Sequence, residues 1–219
     1  MRLAAPKTPG PYGMEPTLRL DFLSSDELSG QGVALYPTAT PPAVNRGMTL
    51  DGSTQYAKVL LSQYSAVLEG GVTNELSIYC EFWPDFNYDE AVLRSLWDST
   101  DGTNVYICRK SDAGPNYPLL FYAGAFSLVL SINAATYGPL WRVGAKNRVL
   151  FAGKSGPNEA FLNGTSIGSA ANLWTRAVCS DLCIGAKPGD FYFDGMITDF
   201  RVYNRQLPAA EAIEMTTVT

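Results

Sequence analysis

Histidine is absent from the 219 residues of this chain. Its absence removes the imidazole used to activate serine and cysteine nucleophiles and to ligate most zinc ions, so those enzyme classes are excluded. Clusters of basic residues are also missing, since 16 Lys and Arg stand against 21 Asp and Glu, for a net charge of −5. A phosphate backbone would be repelled, and we exclude a nucleic-acid partner.

Long apolar runs are scarce as well. No stretch of about 18 apolar residues could span a bilayer, so no membrane association is predicted. The opening residues, Met1 to Pro11, lack the apolar core of a secretory signal. The sequence therefore predicts a protein made in the cytoplasm that stays there or leaves by another route.

Cysteine is limited to four residues: Cys80, Cys108, Cys179 and Cys183. Cys80 and Cys108 lie in β-like runs that could be neighbours, so a disulfide is open, although reduced core cysteines are favoured. The spacing of Cys179 and Cys183, without two further ligands nearby, is weak evidence for a metal site. We interpret all four as structural.

Proline is concentrated at the start of the chain, with seven of the fourteen prolines within the first 42 residues. Proline removes backbone donors and fixes φ, which favours an extended segment. We therefore divide the chain into an extended N-terminal arm, residues 1–16, and one β-sandwich domain, residues 17–219.

The remainder of the chain has the two-residue period of half-buried strands, clearest in 75–83, where Leu76, Ile78 and Cys80 alternate with polar or aromatic residues. Asn163-Gly164 predicts a tight hairpin. One short C-terminal helix is predicted at 208–215. The predicted strands are 17–22, 48–50, 75–83, 91–97, 104–110, 119–122, 126–132, 147–152, 159–162, 165–167, 181–184 and 196–203. Such a series predicts an all-β fold of two antiparallel sheets.

Several segments resemble the laminin-G-like, or concanavalin A-like, jelly-roll family. The run 160–164, AFLNG, resembles the family's Y-V-N-G hairpin, and 182–185, LCIG, its L-x-I-G strand. The run 193–207, FDGMITDFRVYNRQL, is similar to the family's closing strand, and 50–56, LDGSTQY, to its entry strand. The resemblance covers about residues 17–215 and implies a two-sheet antiparallel jelly-roll sandwich. It specifies function much less, because this sandwich hosts lectins, adhesion domains and virion parts.

The resemblance also implies sites that some relatives carry. Some bind calcium at one rim, and Asp98, Asp101 and Asp112 are the candidate loop carboxylates here, but their spacing matches no contiguous calcium loop. Glycan stacking would use exposed aromatic rings, for which the candidates are Tyr88, Tyr117, Tyr137 and Trp174. Solvated turns for the aspartates and core or rim packing for the aromatic rings are the favoured explanations, so calcium binding is left open and no metal, cofactor or catalytic residue is assigned.

Catalysis is not expected. Glycosidases of similar fold carry two glutamates around an aspartate on one strand, and the nearest match here, Glu81 to Asp85 followed by Asp89-Glu90, is interrupted by Pro84 and wrongly spaced. The sequon Asn163-Gly164-Thr165 is explained by the turn alone.

Two functions are predicted. The first is a non-catalytic structural protein of a bacteriophage virion surface, such as a capsid decoration, head fibre or tail component, docked to other virion or capsid proteins through residues 1–16. The alternative is an extracellular carbohydrate-binding, lectin-like module. A symmetric homo-oligomer is compatible with both.

Overall fold

The computed structural model describes residues 16, 18–60, 75–99, 105–124, 127–154, 156–174, 181–187 and 189–218. Apart from Pro16, the predicted arm lies outside this part of the chain. The strands are β1 Leu18–Asp21, β2 Val33–Tyr36, β3 Ala43–Val44, β4 Met48–Asp51, β5 Tyr56–Leu60, β6 Glu75–Pro84, β7 Arg94–Ser99, β8 Val105–Lys110, β9 Leu119–Gly124, β10 Ser127–Ile132, β11 Asn147–Lys154, β12 Asn158–Leu162, β13 Thr165–Ala170, β14 Asp181–Ile184 and β15 Asp194–Tyr203. The helices are α1 Ser25–Gly30, α2 Ala134–Tyr137 with a 3-10 turn Gly138–Leu140, and α3 Ala209–Thr216.

The strands form two antiparallel sheets, which confirms the predicted all-β sandwich. Sheet 1 has the order β13-β12-β11-β6-β15-β4-β3, with β1 also paired to β15. Sheet 2 has the order β10-β9-β8-β7-β14-β5-β2. Neighbours in space are often distant in sequence, as β6 and β15 are, and such crossovers characterise jelly-roll folds.

The core lies between the two sheets and is built by the two-residue alternation. Leu76, Ile78, Cys80 and Phe82 of β6 all face it and are at most 1% exposed. The opposite face of sheet 1 is also partly covered, because α3 packs there over a second apolar cluster, which contains Tyr79, Leu150, Ala152, Phe161, Tyr203, Leu207 and Ala212. Sheet 1 is therefore buried on both faces near α3.

The Asn163-Gly164 hairpin is confirmed. Asn163 and Gly164 have φ values of 49° and 82°, and the flanking strands β12 and β13 pair with Leu162 opposite Thr165. Positive φ at both central positions matches the twist of the strands, and asparagine and glycine tolerate it best. The Asn163 amide also donates to the Leu140 carbonyl at 2.7 Å, which ties the turn to a neighbouring loop.

Some local features were not predicted. The predicted elements include no counterpart of strands β2, β3 and β5 or of helices α1 and α2. These segments are too short for their periodicity to be recognised in the sequence. Cys80, Cys108 and Cys183 are free and buried, so the Cys80–Cys108 disulfide considered above is not formed, and burial raises the pKa of each thiol. Cys179 lies outside the described residues. No helix within the described ranges is long and apolar enough to cross a membrane.

Candidate functional site

The face of sheet 2 that points away from the core carries charged and aromatic residues. Cys183 of β14 pairs with Lys58 on one side and Asp98 on the other, and these three alternate with core residues of the same strands. Asp98 is only 2% exposed, and its carboxylate lies 2.7 Å from the Arg109 guanidinium. Lys58 forms a second ion pair, 2.7 Å from Asp181.

The buried carboxylate of Asp98 is electrostatically unusual. Burial raises the pKa of Asp98 to about 6, although the hydrogen bond and the charge of Arg109 act in the opposite direction. The Arg109 guanidinium is fixed from above by the Phe191 ring, whose centroid lies 4.3 Å away. The cation–π contact between Arg109 and Phe191 anchors the loop that follows β14 to the face of sheet 2.

That loop forms one wall of a rim cleft of about 390 Å³, a size typical of small-ligand sites. Four chain segments meet there: the β4–β5 turn, the loop before β7, the end of β8, and the β14–β15 loop. The rim cleft is lined by Gly52, Ser53, Ala91, Val92, Leu93, Arg94, Asp112, Asp190, Phe191 and Tyr192.

Arg94 holds two of these walls together. Its Nη1 donates to the Gly52 carbonyl at 2.8 Å and to the Tyr192 carbonyl at 3.0 Å. Its Nη2 lies 3.7 Å from the Asp194 carboxylate. Because one rigid guanidinium bonds to both loops, it fixes the width of the cleft between them.

The turn at Gly52 and Ser53 is shaped by Asp51. Asp51 Oδ1 accepts the backbone N–H groups of Ser53, Thr54 and Gln55 at 3.0, 2.9 and 3.0 Å, and Oδ2 accepts the Thr54 hydroxyl at 2.8 Å. Burial alone would raise the pKa of Asp51, but these hydrogen bonds hold it well below its ordinary value. The carboxylate is therefore ionised throughout the physiological range.

Aromatic rings continue from the rim cleft onto sheet 2. The Tyr192 ring lies 6.4 Å from that of Tyr56, which in turn stacks on Tyr36 at 5.0 Å with planes 9° apart. Tyr36 and Tyr56 are register partners in β2 and β5. Gly189 N–H donates to the Tyr192 hydroxyl at 3.1 Å, so this ring is held in place by its own loop.

Two carboxylates face the same space. Asp112 follows β8, is exposed, and makes no side-chain hydrogen bond within the described part of the chain. Asp190 is also exposed, and its Oδ1 accepts the N–H of Phe191 at 3.0 Å. The cleft thus brings aromatic rings and hydrogen-bond acceptors together, a combination that can bind a polyhydroxylated ligand.

The predicted glycan aromatics do not form a binding surface. Tyr137 is 0% exposed, and its hydroxyl donates to the carbonyls of Tyr88 and Tyr117 at 3.2 and 2.7 Å. Trp174 is 3% exposed and donates to Asn158 Oδ1 at 2.7 Å. Tyr88 and Tyr117 are partly buried against the core. Tyr137 and Trp174 are therefore core residues, which is the interpretation that the sequence favoured for these candidates.

The two calcium candidates that the structure describes, Asp98 and Asp112, lie on different elements. Asp98 lies inside strand β7 and not on a loop, and its carboxylate is committed to Arg109. Asp101 is outside the described residues, and Asp112 lies in the rim cleft. Among the residues that the structure describes, no three Asp, Glu, Cys or His side chains group as a metal site would require.

Of the carboxylates considered for glycoside hydrolysis, Glu81 lies within strand β6. Glu81 is tied to the fold, since its Oε2 accepts from Arg148 Nε at 2.7 Å and its Oε1 from Thr198 at 2.8 Å. Burial raises the pKa of Glu81, but the Arg148 and Thr198 hydrogen bonds outweigh it and hold that pKa below its usual value. An ionised, ion-paired carboxylate cannot serve as a general acid.

Sequence reasoning missed most of the residues that line the rim cleft. Arg94, Asp190, Phe191 and Tyr192 were not singled out, and of the lining only Asp112 was considered. The one available signal was the run 189–193, GDFYF, in which aromatic residues crowd a loop that begins with glycine. Loops that carry apolar rings at a rim often bind ligands.

Comparison with known proteins gives the fold a context. No protein-family model and no curated protein sequence matches this chain. Solved structures do match: the CBM40 domain of the Ruminococcus gnavus IT-sialidase bound to α2,3-sialyllactose is 15% identical, with a TM-score of 0.61 over 92% of this chain and 100% of that one. Domain 4 of AbnA, a GH43 extracellular arabinanase from Geobacillus stearothermophilus, in complex with arabinotriose, is also 15% identical, with a TM-score of 0.65 over 93% and 98%.

A third similar structure is the receptor-binding domain of botulinum neurotoxin mosaic serotype C/D, 13% identical, with a TM-score of 0.62 over 91% of this chain and 49% of that one. At such identities the likeness establishes a shared β-sandwich fold.

Proposed function

We propose that this protein is a carbohydrate-binding module that holds a glycan in the rim cleft without cleaving it. The observation that carries the proposal is the composition of that cleft, where Phe191 and Tyr192 lie beside the carboxylates of Asp112 and Asp190. Sugar rings stack on aromatic faces, and their hydroxyls donate hydrogen bonds to carboxylate oxygens.

Two of the similar folds support this choice, since they were solved with an oligosaccharide bound. Of the two functions that the sequence suggests, the extracellular carbohydrate-binding alternative therefore becomes the leading hypothesis. The virion-surface role stays a prediction, because it depends on the arm, and that arm, Pro16 excepted, lies outside the described residues. The two roles are compatible, since a glycan-binding module can also sit on a particle surface.

The absence of catalysis is part of the proposal. Hydrolysis needs one carboxyl kept protonated near neutral pH, usually by burial, whereas the carboxylates that line the cleft, Asp112 and Asp190, are exposed to solvent. Asp98 and Asp199, two buried carboxyls with raised pKa values, are ion-paired with Arg109 and Arg201 and do not line the cleft.

The test is a glycan array probed with the full chain, followed by calorimetry on the best ligand. Tyr192→Ala should lower the affinity about tenfold or more through loss of ring contact, whereas Tyr192→Phe should retain most of it. Asp112→Ala should also weaken binding, while Asp85→Ala, an exposed aspartate outside the lining, should not. Failure of every glycan to bind, or equal affinity in all four variants, would disprove the rim cleft as a glycan site.

A further inference from the structure

We infer that the rim cleft takes uncharged glycans and rejects anionic ones, such as those bearing sialic or uronic acids. This inference deepens the proposed function and depends on it. It rests on the distribution of charges that are free to act on a ligand, and not on the net charge of the chain alone.

The acidic groups around the cleft outnumber the basic ones. Asp112 and Asp190 lie in the lining itself and are exposed. Asp51 accepts the backbone N–H groups of the β4–β5 turn beside the cleft, and its lowered pKa keeps its carboxylate ionised. Asp89 and Glu90 precede the loop that forms the wall at Val92, and both act electrostatically on Lys110, as Asp112 does.

The basic groups nearby are largely committed to the fold. The Arg94 guanidinium bonds to two loop carbonyls and pairs with Asp194. Lys110 is 2% exposed, and its ammonium donates to the carbonyls of Glu90 and Val92, the latter at 3.1 Å. Arg109 is paired with Asp98. The side chains of Arg94 and Arg109 are 12% and 14% exposed and Lys110 is 2% exposed, so these cations present little free charge to a ligand, although Arg94 Nε has no hydrogen-bond partner within the described residues.

Lys187 differs from these three cations. It is exposed, and its ammonium lies 5.2 Å from the Phe191 ring. One solvated lysine faces at least two solvated carboxylates in the lining, so the potential that an approaching ligand meets remains negative.

The cleft discriminates between sugars by the hydrogen-bond donors and the charges that each sugar carries. A carboxylate is an acceptor only, so Asp112 and Asp190 require donors, which the hydroxyls of a neutral sugar supply. An anionic sugar would bring a further acceptor-only group to the same space and add like-charge repulsion, a common means of rejecting a wrong ligand.

The experiment compares each neutral oligosaccharide with an anionic derivative of it, on the full chain, by calorimetry. Lactose against α2,3-sialyllactose is one pair, and each neutral oligosaccharide that the array identifies, arabinotriose included, is paired with its uronate-containing counterpart. We expect the neutral member of each bound pair to bind at least about tenfold more tightly at low salt. The difference should shrink as salt is raised, since the carboxylates are exposed.

The charge origin is tested with the double variant Asp112→Asn and Asp190→Asn, which keeps size and one acceptor per side chain. It should reduce the discrimination, whereas Asp85→Asn should leave it unchanged. Tighter binding of the anionic member, or discrimination unaltered in the double variant, would overturn the inference while leaving glycan binding itself intact. Binding of neither member of any pair would overturn the proposed function as well, and the two failures are thereby distinguished.

Discussion

The Asp98 carboxylate and the Arg109 guanidinium lie 2.7 Å apart on the outer face of sheet 2, with side chains 2% and 14% exposed. The attraction within a buried ion pair is largely cancelled by the cost of removing both charges from water, so such a pair is seldom a net source of stability. Loss of one partner is nevertheless destabilising, because it leaves an unpaired buried charge. Here it also supports Phe191, which lines the rim cleft. The pair therefore connects the stability of the sheet to the shape of the site.

A first prediction concerns the pH dependence of stability. Burial raises the pKa of Asp98 from 3.8 to about 6, so the folded protein binds this proton more tightly than the unfolded chain does. The contribution of Asp98 to stability is therefore largest below the unfolded pKa and is lost as the pH rises through about 6, by at most about 1.4 kcal/mol per pH unit. Asp98→Asn should remove this dependence, measured by urea unfolding at pH values across that window.

Comparison with wild type is needed because other carboxylates act in the opposite direction. Asp51 and Glu81 have lowered pKa values, so their contribution is present above the unfolded pKa and is lost as the pH falls. The prediction applies to the difference between Asp98→Asn and wild type, with Asp85→Asn as the matched control. Parallel stability curves for wild type and Asp98→Asn would show that the Asp98 pKa is not raised in the folded state.

A second prediction concerns two glycines that both have positive φ. Gly195 has a φ of 127°, and a Cβ there would lie 2.1 Å from the Trp83 carbonyl oxygen. Gly144 has a φ of 62°, and a Cβ would meet nothing within 4 Å. Gly195→Ala should lower the free energy of unfolding by roughly 3 kcal/mol or more, because two paired strands must separate, and Gly144→Ala by about 1 kcal/mol, from backbone strain alone.

Chemical denaturation of both variants measures this difference. Both replacements are glycine to alanine at positive φ, but a φ of 127° strains alanine more than one of 62°, so backbone strain and the contact at Trp83 both contribute to the difference. Equal losses of stability would mean that β15 and β6 do not approach each other as closely as described.

The features that sequence predicted and those that it missed differ in physical origin. The two-residue alternation that includes Leu76 and Ile78 predicts β6, because burial of one face of a strand imposes that period. Asn163-Gly164 predicts its turn, because few residues accept positive φ. The rim cleft has no such local signature. Arg94 acts there by bonding to the carbonyls of Gly52 and Tyr192, groups that every residue carries and that only the fold brings together.

The burial of some side chains was also not predicted from the sequence. Tyr79 stands on the face of β6 opposite the core and was grouped with polar residues, yet it is 3% exposed because α3 packs over it. A helix is predicted at 208–215, but the surface on which it packs is not. Leu150 and Phe161 belong to that surface, and the sequence predicts only that they lie on strands. The period of a strand shows which side chains share a face and does not show what covers that face.

A third prediction concerns the turn that forms the rim of the cleft. Asp51→Asn removes the charge from an oxygen that accepts three backbone N–H groups, and we expect a loss of about 1 kcal/mol of stability, of the size seen for helix-capping side chains. Because the wild-type carboxylate is ionised above its lowered pKa, the difference from Asp51→Asn should be present at neutral pH and should disappear in acid. Thermal unfolding at both pH values checks this, and a loss that persists unchanged in acid would contradict it.

A fourth prediction separates the cleft from the fold. Arg94→Lys keeps the positive charge near Asp194 but replaces a planar fork with a single ammonium, which cannot reproduce the same bonds to the Gly52 and Tyr192 carbonyls. Stability should fall by about 1–2 kcal/mol, because polar groups at a partly buried position lose partners. Affinity for the glycan found on the array should fall about tenfold, which is more than the loss of stability explains, because the two walls that Arg94 joins are no longer held at a fixed separation.

Arg142→Lys, at an exposed arginine outside the cleft, is the control and should change neither stability nor affinity. Retention of full affinity in a destabilised Arg94→Lys protein would mean that Arg94 stabilises the sandwich alone, and that the cleft keeps its shape without it.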